Sequence, residues 1–333
     1  MPNARTTFAE IRQEITDKGA ALNDIHGARQ AIRGHTSVPA SGPLLAALAP
    51  GHRAFKLLAH GDSWFDYPLG TDLIDCLHSN HGHTIVNIAV AGSTLNDEAY
   101  GSVPREMWGL PLGPLQSDDP SRIAELVHRI GVEKPQGLLL SAGGNDVAGD
   151  EFFSFLNNAQ SGLSAVNANV VEAVVSQTFL TAYEFMIEHA LTAAKDAGIT
   201  MPIFVHGYDY PWPDGRGVIA FLGWRVGPWF DPTFSAKNYP NSNPADLKRR
   251  HDILVPFIKA VNDMQVALEQ KYLGSLFHVD LTGTLQTKDD WANELHPNNA
   301  GFAALAAKFD AALQSHIPLA SPAGTKSPTQ GPS

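Results

Sequence analysis

An α/β fold, a parallel sheet covered by helices on both faces, is what this sequence predicts, and three observations lead to it. Five short apolar runs, at 55–60, 84–90, 137–142, 202–206 and 275–281, have the length and branched-residue content of buried strands. Helical patterns lie between them. One stripe carries Val171, Val174, Val175, Phe179, Ala182 and Met186 and ends near Gly198; another carries Phe257, Val261, Met264 and Leu268; a last one carries Phe302, Leu305, Ala306, Phe309 and Leu313. Strands that alternate with helices are joined by crossovers, which place helices on both sheet faces. The third observation is size: 333 residues, 44% of them hydrophobic and 17% charged, suffice for one large core.

The elements follow in order. Thr7 and Glu10 form a capping-box pattern, and Phe8, Ile11 and Ile15 then recur at helical spacing. A helical extension over 1–50 is therefore expected to pack on a main domain at 51–316, with an oligomerisation arm as the alternative. Stretches 97–120 and 207–247 break the rhythm and are rich in Gly, Pro and aromatics. The second holds Tyr208, Tyr210, Trp212, Trp224, Trp229 and Phe230 and reads as a lid or wall for an apolar substrate. Residues 317–333 read as a disordered Pro/Ser tail.

Charge excludes some partners. With 23 basic and 34 acidic residues the formal balance is −11, and no basic block stands out, so nucleic acid and anionic membranes are poor partners. The lone Cys76 rules out an intrachain disulfide. The amino terminus lacks the apolar core of a secretory signal, and no 18-residue apolar stretch is read as a membrane span, which together predict a cytoplasmic soluble protein.

The first run, Phe55 to His60, ends in Gly61-Asp62-Ser63-Trp64. A serine delivered by a glycine-loosened turn at the carboxyl end of a strand can present its hydroxyl and its N–H to a substrate. Gly92 follows the second strand, Gly143-Gly144-Asn145-Asp146 the third, and His296-Pro297 comes near the end. In open parallel sheets, ligands bind outside the carboxyl ends of the strands, so the fold class itself gathers these pieces. Acyl transfer needs a nucleophile, a base and donors for the oxyanion. Ser63, His296, and the Ser63 N–H, Gly92 N–H and Asn145 amide fill those parts.

Trp64 and Phe65 follow the nucleophile and are candidates for the substrate pocket. Asp62 and Asp146 are read as loop-holding residues. His78, His81 and His83 resemble a metal cluster, but they fall in the hydrophilic connection leading into the second strand and no fourth ligand is evident; the reading is a solvated loop, with no metal and no cofactor.

In order and spacing, Gly-Asp-Ser, the isolated Gly92, Gly-x-Asn-Asp and the late His-Pro resemble the SGNH (GDSL-like) hydrolase family from about Phe55 to Leu313. The resemblance implies a three-layer α/β/α sandwich with a flavodoxin-like five-stranded sheet of order 2-1-3-4-5, no cofactor, and hydrolysis of esters or thioesters. The chain departs from the pattern at one place. Where the family usually has an Asp three residues before the histidine, Asn293 stands. Its side-chain oxygen could orient His296; Asp290, Glu294 or Asp280 could supply a carboxylate instead, or a Ser–His dyad could act alone. The expected activity is that of a serine esterase on small or polymeric esters. The alternatives are an acyltransferase on the same site and a binding protein whose catalysis has decayed.

Overall fold

The computed structural model describes residues 6–36, 51–68, 70–101, 106–107, 110–111, 120–219 and 225–318. Trp224, most of 102–119 and residues 319–333 of the tail expected at 317–333 lie outside these residues, while Ile317, at the start of that tail, is buried. Among the described residues, β1 (Lys56–Gly61), β2 (Thr84–Asn87), β3 (Gly137–Ser141), β4 (Ile203–Val205) and β5 (Leu276–His278) form one parallel sheet in the order β2-β1-β3-β4-β5. The central strands are apolar on both faces because both are covered: Leu138 to Leu140 and Ile203 to Val205 are all 0% exposed. The apolar run at 84–90 outlasts β2 but continues along β1. Ile88 N–H donates to Ala59 O and Val90 N–H to Gly61 O, both at 2.8 Å.

The helices are α1 (Phe8–Thr36), α2 (Leu73–His81), α3 (Leu95–Tyr100), α4 (Arg122–Glu133), α5 (Ala168–Ala173), α6 (Leu180–Asp196), α7 (Asp231–Ala236), α8 (Pro244–Lys271) and α9 (Asn299–His316). α2 and α9 pack together on one face of the sheet; α3, α4, α6 and α8 cover the other. α1 lies against α4, burying Ile11 and Leu22, and Glu14 accepts from the Ser121 N–H and hydroxyl at 2.8 Å each. Its start is the capping box of the sequence, with Thr7 N–H donating to Glu10 at 2.6 Å.

Two sequence readings change here. A π-helical turn at Val174–Phe179 joins α5 to α6, so Ala168–Asp196 forms a helix long and apolar enough to cross a membrane by length and composition. The sequence reading finds no such stretch because Glu172 and Glu184 interrupt the run. In this fold the helix packs on α3 and α4, with Tyr183, Phe185, Met186 and Ile187 buried.

The histidine group is also not a solvated loop. His78 and His81 close α2, and His83 is 0% exposed. Its partner Asp310, on α9, is more than 200 residues away in sequence, which is why local reading misses it.

Gly61 is required by close approach. A Cβ there would sit 2.6 Å from Ser141 O, across the β1–β3 pair that aims the Ser63 turn. Gly61→Ala is expected to destabilise the fold by about 2 kcal/mol or more, as overpacking against backbone does; denaturant unfolding would measure it.

Candidate active site

Ser63 stands in the first turn after β1, closed by Phe65 N–H donating to Asp62 O at 3.1 Å. Asp62 fixes that turn from below. Its carboxylate accepts from the Trp64 N–H (3.0 Å), the Ser141 hydroxyl (2.8 Å) and the Tyr208 hydroxyl. Burial pushes its pKa up to about 6, against the pull of those hydrogen bonds. Asp146 likewise holds a loop, accepting from Leu95 N–H at 2.7 Å. Neither carboxylate faces the serine hydroxyl's partner.

That partner is His296. Its Nε2 lies 2.7 Å from Ser63 Oγ, across 233 residues of sequence. A tight turn delivers it: Ala292 N–H donates to His296 O at 2.9 Å, and Trp291 pairs with Pro297 just before α9 begins.

Within this turn Asn293 Oδ1 accepts from the backbone N–H groups of Leu295 and His296, both at 2.9 Å, and lies 3.1 Å from His296 Nδ1. Asn293 Nδ2 donates to the Tyr67 hydroxyl at 3.2 Å. Two backbone donors can face only an oxygen, so the amide cannot be flipped. His296 therefore carries its proton on Nδ1, and Nε2 is left to accept from Ser63 O–H. Burial lowers the His296 pKa to about 3, which keeps the ring neutral.

The carboxylates considered as third members lie elsewhere. Asp290 accepts from Thr287 N–H (2.8 Å) in the cap of its own 3₁₀ turn, and Asp280 accepts from Thr282 N–H (2.9 Å) and its hydroxyl (2.6 Å). Glu294 is fully buried and accepts from Gly215 (2.9 Å), Trp229 (2.6 Å), Phe230 (2.7 Å) and Asp231 (3.2 Å) N–H groups. It binds the aromatic segment to the histidine turn. Glu294→Gln puts an amide N–H₂ against those donors. The expected loss is about 2 to 4 kcal/mol in denaturant unfolding, because charge-assisted bonds are replaced by an unsatisfied donor.

Ser63, Gly92, Asn145 and His296 line one cavity with Tyr67 and Trp229. Gly92 has φ 82°, a left-handed turn that brings its backbone to the cavity wall. Asn145 Nδ2 donates to Ser93 O at 2.9 Å, which ties the Gly92 turn to the loop after β3. Among the described residues, neither Ser63 N–H nor Gly92 N–H has a protein acceptor.

A second cavity meets the first at Ser63, Asn145 and Leu295 and is walled by Trp64, Tyr208, Phe230, Leu254, Phe257 and Trp291. Trp64 is held there by donating its indole N–H to Leu295 O at 2.9 Å. Phe65 lines neither cavity. It is 0% exposed and packs on His206 and Phe309, so the substrate-pocket reading for it is corrected to a core position: successive residues of the turn point to opposite sides.

The segment 207–247 serves both purposes. Tyr208, Trp229 and Phe230 line the cavities, whereas Trp212 stacks on His251 of α8, ring centroids 4.1 Å apart.

Sequence reasoning misses Tyr67, which stacks on His296 with ring centroids 4.4 Å apart; Trp229, named in the aromatic segment as wall, stands edge-on to the same ring at 5.8 Å. Tyr67 lies four residues after Ser63, and that proximity is the one signal that could have found it.

No protein-family model and no curated protein matches the sequence. Solved structures do. A lipase/acylhydrolase from Enterococcus faecalis is 14% identical, over 80% of this chain and 99% of that one, with a TM-score of 0.40. An extracellular lipase from Streptomyces rimosus is 12% identical, over 79% and 100%, with a TM-score of 0.45. A candidate GDSL-like lipase from Bacteroides ovatus is 11% identical over 80% of this chain, with a TM-score of 0.41, and the match spans 54% of that protein's length. The sheet order and layering are those the SGNH resemblance implies. At these identities and scores the likenesses carry no argument about activity, which rests on the site itself.

Proposed function

We propose that the chain is a serine esterase working through an acyl-enzyme. The reading is carried by one observation: Ser63 Oγ lies 2.7 Å from a His296 Nε2 that Asn293 keeps unprotonated. Ser63 Oγ forms a bond to the ester carbonyl carbon while its proton moves to Nε2, and the carbonyl electron pair becomes the oxyanion. The Ser63 and Gly92 N–H groups and the remaining Asn145 N–H are the donors proposed for that oxygen. Collapse breaks the bond to the alkoxy group, which leaves as an alcohol with the Nε2 proton. Water then repeats both steps and releases the acid.

The aromatic and aliphatic walls of the second cavity favour an apolar acyl chain over a charged one. The test is a p-nitrophenyl ester series of increasing chain length, run with and without a competing alcohol. Turnover of an apolar chain to the free acid is expected, and Val261→Phe, which fills that cavity, is expected to move the preference to shorter chains. Product found mainly as a new ester would make the chain an acyltransferase. Absence of turnover for every ester would favour the decayed binding protein.

A further inference from the structure

We propose that His52, His81 and Asp310 form a binding site for a tetrahedral divalent metal ion, zinc being the best fit, at the amino-terminal edge of the sheet. The three come from distant parts of the chain: the segment before β1, the last turn of α2, and α9. Their ligand atoms lie within 4.8 Å of one another. His52 Nε2 is 2.9 Å from Asp310 Oδ1, and His81 Nδ1 is 3.2 Å from Asp310 Oδ2. Ligands held at zinc distances of 2.0–2.2 Å in a tetrahedron stand about 3.3 Å apart, so an ion fits once the shorter of these contacts opens and any wider separation closes towards that value.

The surroundings are those of a supported ligand set. Phe55 N–H donates to His83 Nδ1 at 3.1 Å, which puts the His83 proton on Nε2, and that N–H donates to Asp310 Oδ1 at 3.0 Å. His83 is therefore a partner that aims the carboxylate and not itself a ligand. Gln314 Nε2 donates to the same oxygen at 3.0 Å. Such outer hydrogen bonds orient metal-binding carboxylates. His52 Nε2 faces Asp310 Oδ1 at 2.9 Å and Gln314 Nε2 at 3.1 Å, so an ion takes the place of those contacts and the ring proton moves to Nδ1, which is buried with no hydrogen-bond partner among the described residues.

Proton balance is simple. Each neutral imidazole presents a lone pair to the ion once its proton sits on the outer nitrogen, Nδ1 of His52 and Nε2 of His81. The carboxylate is already an anion, and no proton need leave the protein from neutral rings. The side chains of His52, His81 and Asp310 are 10%, 17% and 12% exposed, enough for solvent to supply the fourth ligand. β1 runs between this edge and the Ser63 turn, a span of about 20 Å for a strand of its length. The ion would staple α2, α9 and the segment entering β1, with no part in ester chemistry.

The test uses metal-stripped full-length protein titrated with Zn(II) by calorimetry and with Co(II) by visible absorption. Expected are one equivalent bound, the intense spectrum of tetrahedral Co(II), and a rise in melting temperature with Zn(II). His52→Ala and His81→Ala should each lose the spectrum and the thermal shift, while His128→Ala, on α4, keeps both. Ser63→Ala should bind the metal as the wild type does, which separates this inference from the esterase reading. Failure to bind one equivalent, or unchanged binding in both His52→Ala and His81→Ala, would overturn it and leave a hydrogen-bonded cluster only.

Discussion

Ser63→Ala is expected to lower kcat for an activated ester by roughly 10,000- to 1,000,000-fold, leaving the background that oxyanion donors and binding alone sustain. The reason is geometric. Among the described residues Ser63 Oγ has one hydrogen-bond partner, His296 Nε2, and no other hydroxyl stands at that position. His296→Ala should cost about as much, and the double substitution little more, since nucleophile and base act as a unit. Removing Oγ leaves Asp62 and its three donors untouched, so the melting temperature should barely move. Initial rates and thermal unfolding on the same samples separate the two effects.

The second large effect is expected at Asn293, in opposite directions for two substitutions. Asn293→Leu removes the oxygen that accepts from two backbone N–H groups and faces His296 Nδ1. The ring loses its fixed tautomer, and turnover should fall about 100- to 10,000-fold, the range general-base catalysis supplies. Asn293→Asp keeps the acceptor and adds the charge that an imidazolium lacks here. In serine proteases the reverse change costs about 10,000-fold, largely through the wrong tautomer; because the tautomer is already correct in this chain, the gain should be smaller, roughly 10-fold or more.

The pH profile tells the two parts apart. Burial holds His296 near 3, so in the wild type kcat/KM should stay level as pH falls from 8 to about 5. A carboxylate at 293 raises the pKa of the ring, so Asn293→Asp should bring the acid limb up towards neutrality.

The same shift bears on stability. His296 and His206 are both lowered to about 3 by burial, below the ordinary histidine value of 6.5. Between those values the unfolded chain binds more protons than the folded one. Stability contributed by keeping these rings neutral is therefore full above about pH 6.5 and declines as pH falls towards 3.

The sheet, its order through the family resemblance, and the juxtaposition of the Ser63 turn with Gly92, Asn145 and the His296 turn were legible in the sequence. Each follows from local apolar runs and from glycine-marked turns at strand ends. What was not legible depended on long-range contact. Phe65 lies two residues after the proposed nucleophile yet turns into the core, where it packs on Phe309 and His206. Glu294 looked like a candidate for the histidine, but four backbone donors from 215–231 claim it. Asn293 is read from the sequence as one of several candidates to orient His296, and the structure supplies what decides its orientation. The backbone N–H groups of the two residues that follow it orient its amide, and no sequence spacing reveals which atom of an amide faces a ring. His81 and His83 have no partner near them in sequence; α9 brings Asp310 to both.

Intact-mass spectrometry after exposure to a fluorophosphonate probe, with peptide mapping, tests the Ser63–His296 pairing most directly. The pairing predicts one adduct per chain, on Ser63, formed rapidly by the wild type and absent in Ser63→Ala and His296→Ala. An unlabelled Ser63, or equally fast labelling when His296 is alanine, would contradict it.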